Sequence, residues 1–146
     1  MTREHIGRFC IILGGLCILA AAVLLGFNLR EERRAAAATQ KILPAVAHSI
    51  GQSPAPMPTL PAGELTVSLE GEEYLGILSL PTLALELPVG AEWEMDFLRQ
   101  APCRYAGTLA GDDIIIAAHN YRRHFAALHT LRPGDAVLFT DAAGQT

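Results

Sequence analysis

Residues 65–89 read LTVSLEGEEYLGILSLPTLALELPV, and the alternation within them decides the fold. Leu65, Val67 and Leu69 alternate with polar neighbours, the pattern of a half-buried strand that ends at Glu70-Gly71. Residues 74–80 (YLGILSL) form a second strand, stopped by Pro81, and Leu83, Leu85 and Leu87 alternate up to Pro88.

Towards the C-terminus, residues 92–100 predict a short helix with Trp93 and Phe97 one turn apart on one face. Residues 114–118 (IIIAA) follow Gly111-Asp112-Asp113 as an unbroken apolar run, which predicts a strand buried on both faces. Tyr121, Phe125 and Leu128 have helical spacing, and residues 136–140 (AVLFT) form another strand. Asp141-Ala142-Ala143-Gly144 then reads as a hairpin turn, with only Gln145 and Thr146 after it. The expectation for residues 64–146 is a mostly β domain with short helices, whose last hairpin lacks its partner strand.

Towards the N-terminus, residues 9–29 (FCIILGGLCILAAAVLLGFNL) carry no charged side chain. Twenty-one residues at about 1.5 Å each span about 31 Å, close to the roughly 30 Å of a bilayer's hydrocarbon core. The run exceeds the roughly 7–15 apolar residues of a cleaved signal peptide, and bulky Leu16 before Cys17 argues against a lipoprotein site. One retained transmembrane helix is expected, with residues 1–8 as a short tail. Arg30, Arg33, Arg34 and Lys41 outnumber Arg3 and Arg8, so the positive-inside rule leans towards a cytoplasmic C-terminal side. Residues 30–41 are rich in helix formers and prolong the helix into water. Pro44, Pro54, Pro56, Pro58 and Pro61 then mark a spacer, so residues 30–63 are read as an Ala/Pro-rich stalk.

Composition excludes several classes. A net charge of −4 leaves no basic surface for nucleic acid. Of three cysteines, Cys10 and Cys17 lie in the apolar run, so there is no disulfide framework and only Cys103 could meet solvent chemistry.

His119 directly follows the run 114–118, where a rigid strand would hold an imidazole at the rim of the sheet. Spacing alone favours a plainer reading, a surface or capping histidine. His119, His124 and His129 recur every five residues, which converges on neither a helix face nor a strand face, so no metal is expected. Asp112 and Asp113 are most simply turn residues, and Glu92, Glu94 and Asp96 a solvated acidic face. Arg122 and Arg123 could hold a carboxylate, though a solvated loop is the plainer reading. Arg104 could lower the pKa of Cys103 and pair it with His119 as a thiol centre. The plainer reading makes Cys103 a small, partly buried loop residue.

Taken together, several stretches resemble a sortase, the membrane-anchored cysteine transpeptidase of Gram-positive surfaces. They are Gly76-Ile77-Leu78-Ser79-Leu80-Pro81, Leu85-Glu86-Leu87-Pro88-Val89, Pro102-Cys103-Arg104-Tyr105-Ala106-Gly107 and Ile114-Ile115-Ile116-Ala117-Ala118-His119-Asn120, followed by Phe125, Leu128, Leu131, Gly134-Asp135 and Phe139. The resemblance covers roughly residues 74–146, and the stretch from His119 to Phe125 is more similar to class D or B than to class C. It implies a sortase-type β-barrel, here partial, tethered outside the cell, which overrides the charge lean. It implies that His119 is the catalytic histidine and that no cofactor is used.

The family's nucleophilic cysteine follows a Thr-Leu-x-Thr-type strand, with its arginine further on. Neither is present in this sequence, and Cys103 does not occupy the nucleophile's position. The implied reaction cleaves an LPxTG-type sorting signal through an acyl-enzyme and passes the acyl group to an amine of a cell-wall precursor or pilin. The implied partners are therefore that peptide, that amine and the lipid bilayer, and the 146-residue chain alone is expected to be inactive. The alternative is a non-catalytic, membrane-tethered peptide-binding module.

Overall fold

The computed structural model describes residues 3–52, 55–56 and 64–146. Two compact units divide the chain, residues 1–33 and residues 34–146. One helix, α1 (Arg3–Ser49), contributes to both.

In the first unit the large apolar side chains of α1 face outward: Phe9, Ile11, Ile18 and Leu24 are all more than 60% exposed. A helix whose apolar residues find no protein around them needs an apolar medium, so this segment is a candidate membrane anchor.

In the second unit the reading of residues 30–63 as one stalk is corrected over 34–49. The helix runs through Pro44 and buries Ala35, Thr39, Ile42 and Val46. Those positions follow the i, i+4, i+7, i+11 stripe of one helix face. A proline inside a helix costs about 3 kcal/mol, and full burial of a Val or Ile side chain returns about 1.5–3 kcal/mol each. Tertiary packing therefore carries the helix past the residue expected to end it. Beyond it, Gly51 (φ +74°) turns the chain and donates its N–H to the Ala142 carbonyl at 2.9 Å. Residues 53–54 and 57–63 of the expected stalk lie outside the described residues.

The sheet begins with β1 (Ala55–Pro56) paired to β2 (Leu65–Leu69). Glu70 and Gly71, both at positive φ, make a two-residue hairpin loop into β3 (Glu72–Leu80). After a 3₁₀ turn at Pro81–Leu83 the chain returns antiparallel as β4 (Leu85–Gly90). The single-turn helix α2 (Met95–Leu98), shorter than expected, buries Phe97 and Leu98. Trp93 precedes it and stays exposed, packed edge-on against Tyr105.

The chain then forms β5 (Cys103–Ala106), parallel to β4, and β6 (Ile115–Ala117), antiparallel to β5. Turns and a 3₁₀ turn at Leu128–Thr130 replace the helix expected from Tyr121, Phe125 and Leu128. Finally β7 (Leu138–Asp141) pairs with β3. β3 is the hub of the sheet. β4 lies along one edge, and β2 and β7 share the other, at residues 67–69 and 138–141 respectively. Gly76 sits where β7 crosses, and a Cβ there would run into the backbone of Thr140 and Asp141.

The mixed sheet is not closed into a barrel: among the described residues β6 pairs only with β5 and β7 only with β3. Helix makes up 42% of the described residues, so "mostly β" fits the sheet-rich region rather than the whole chain. The double-sided burial expected for 114–118 is corrected too. Ile115 is 53% exposed and its neighbours are half-buried, because no described strand covers the outer edge of β6.

Candidate active site

His119 leaves β6 two residues after Ala117, the partner of Cys103 across the β5–β6 ladder. The chain turns back on itself at once. Phe125 N–H donates to the His119 carbonyl at 3.4 Å, and the N–H groups of His124 and Ala126 donate to the Tyr121 carbonyl at 2.9 and 3.2 Å. This double-bonded turn brings three rings together. The His119 and Tyr121 rings lie nearly parallel, 4.9 Å apart between centroids, and Tyr121 meets His124 at 5.5 Å with a 54° tilt. His119 is half-buried, and its Nε2 is sealed from solvent with no hydrogen-bond partner among the described residues.

His124 is fully buried, and neither ring nitrogen finds a hydrogen-bond partner among the described residues. Burial drives its pKa down to about 4, the charge on His119 adds to the drop, and the Gln100 backbone pulls weakly the other way. His124 is therefore a neutral imidazole near neutral pH.

The third histidine does not join them. His129 is exposed, its Nδ1 2.7 Å from the Ala126 carbonyl. No described group of three His, Cys, Asp or Glu side chains is arranged to hold a metal ion. Asp113 accepts the Thr108 N–H at 2.8 Å, shaping the turn before β6, and Asp112 takes a left-handed turn conformation. Asp96 lies 3.5 Å from Arg99 on the surface. Arg123 is exposed, as its loop reading expects.

Cys103, read as a small, partly buried loop residue, is placed instead in a strand and fully buried. It opens β5 and packs in a cluster with Ile42, Val46, Tyr74, Phe97, Leu98 and Ala101. Burial pushes its pKa up, outweighing a hydrogen bond from the Glu94 backbone that lowers it. Arg104, which on the thiol-centre alternative would activate it, turns instead to Glu64 at 3.1 Å and to the Ala91 carbonyl at 3.0 Å. A thiol in this setting stays protonated and shielded. The arrangement offers one rim imidazole, able to move a proton, and no thiolate beside it.

Residues 78–146 match the family model of the Sortase domain. The match covers just under half of the chain and includes β4, β5, β6, His119 and β7. No curated protein and no solved structure matches the chain.

Tyr121 and His124 were missed as neighbours of His119 in the sequence. Positions i, i+2 and i+5 share neither a helix nor a strand face, and only the turn at 121–126 folds them together. His-x-Tyr-x-x-His itself was the available signal.

Proposed function

We propose that the chain carries the proton-transfer part of a sortase-type transpeptidase, with His119 as its acid/base. The observation that supports this most is the position of His119. It lies inside the region matching the Sortase domain, at the end of β6, with Nε2 engaged by no described group.

In the reaction, a thiolate attacks the carbonyl carbon of the threonine in an LPxTG-type sorting peptide. The C–N bond to the next residue breaks, and the leaving amine takes a proton from the imidazolium of His119. An amine of a cell-wall precursor or pilin then gives a proton back to the imidazole, attacks the thioester and releases the thiolate. Cys10 and Cys17 lie in the apolar helix and Cys103 is sealed in the core, so on this reading the thiolate comes from outside these 146 residues. The apolar helix holds the domain at the outer face of the cell membrane.

The test uses protein expressed from the native reading frame with whatever it encodes past codon 146. A fluorescent LPxTG-type peptide and an amine acceptor are supplied. Wild-type protein transfers the peptide, His119→Ala loses roughly 10²–10⁴-fold in rate, and Cys103→Ala keeps it. Transfer that survives His119→Ala, or that Cys103→Ala abolishes with the fold intact, would overturn the reading. Peptide bound but never cleaved would point instead to the non-catalytic module.

A further inference from the structure

We propose that Tyr121 is a positioning residue for His119, and that buried His124 backs it. The inference rests on the reading of His119 as the proton carrier and adds the device that aims it.

An imidazole at the end of a short strand has two free torsions, and nothing described hydrogen-bonds its Nε2. Proton transfer needs that nitrogen at a defined place. A hydrogen bond to the ring would be the usual restraint. Here a flat contact takes that role, the phenol ring lying 24° from parallel at 4.9 Å. A face contact fixes the plane of the imidazole without taking up Nε2 in a competing hydrogen bond.

Tyr121 needs a restraint of its own, being half-buried in a turn of exposed Asn120, Arg122 and Arg123. His124 supplies it from beneath. Its ring meets Tyr121 at 5.5 Å and is itself locked by complete burial.

The test is NMR of the 146-residue chain in detergent micelles with ¹³C/¹⁵N-labelled histidine, which needs no activity. In wild type, the His119 ring protons should be shifted upfield by the Tyr121 ring and show cross-relaxation to it. Tyr121→Phe should keep both. Tyr121→Leu should lose both, and the population of the aimed rotamer should fall about 2- to 12-fold, the range for one aromatic pair. His119→Gln should raise the titration midpoint of His124 by removing its charged neighbour.

If Tyr121→Leu fails to fold, the wild-type spectrum still decides. A His119 ring without cross-relaxation to Tyr121 overturns the proposal, as does an unchanged His119 signal in a folded Tyr121→Leu. Because these signals are independent of transfer, a positive result beside a fully active His119→Ala would remove the catalytic reading alone.

Discussion

Arg104 and Glu64, 40 residues apart, form an ion pair at 3.1 Å with their side chains only 13% and 3% exposed. The pair ties β5 to the residue that leads into β2. Its remaining bonds extend the tie: Glu64 accepts the Leu109 N–H at 2.7 Å, and Arg104 donates to the Ala91 carbonyl at 3.0 Å.

Removing one partner leaves the other charge buried. Arg104→Met should therefore cost about 3–5 kcal/mol of stability. Replacing both at once, with Glu64→Leu added, should cost less than the two single changes summed. Thermal or denaturant unfolding in micelles measures this, and a single variant within 1 kcal/mol of wild type would show that the pair is dispensable.

His124 makes the fold acid-sensitive. Its folded pKa of about 4 lies below the ordinary 6.5, so the unfolded chain binds the proton more readily. Its neutral form is accommodated above about pH 6.5, and stability then declines as pH falls towards 4, by up to about 3 kcal/mol. His124→Phe should flatten this slope in unfolding measured between pH 7 and 4. A slope of equal size in the variant would assign the acid sensitivity to other groups.

Cys103 should stay unlabelled when the folded chain is treated with maleimide at pH 7–8, and label fully once denatured. Mass spectrometry separates this site from Cys10 and Cys17. Rapid labelling in the native state would contradict its burial. The same burial makes Cys103 useless as a reporter of sidedness, a task that exposed Asn120 can perform. An Asn120→Cys variant should react with an impermeant maleimide on whole cells, and protection until lysis would place the domain inside.

Gly76→Ala should loosen β7, because the new methyl group meets the backbone of Thr140 and Asp141. A loss of about 1–3 kcal/mol is expected, with faster hydrogen exchange at the amides of residues 138–141. Unchanged exchange would mean that the two strands part without cost.

The β2–β3–β4 region was legible because alternation is a local signal, and the Glu70-Gly71 turn was marked by its glycine. Less legible were elements fixed by distant partners. Residues 34–49 stay helical past Pro44 because Ile42 and Val46 find Tyr74 and Phe97 to pack against, a contact that a proline count misses. β5 carries no alternation, being placed by β4 on one side and β6 on the other. His119 stood out because it ended an apolar run, while the rings around it are gathered by a turn.

The two tenants of one edge of β3 also set a timetable for biosynthesis. Residues 72–74 meet β2 across a two-residue loop, but Gly76–Ser79 wait for Asp141–Leu138, about 60 residues further along. At roughly 5–20 residues per second of translation, that stretch of backbone stays without its neighbour for about 3–12 s. A nascent chain in that interval presents an unsatisfied strand edge to any other chain in reach, so crowded synthesis is a condition that exposes this molecule to misassembly.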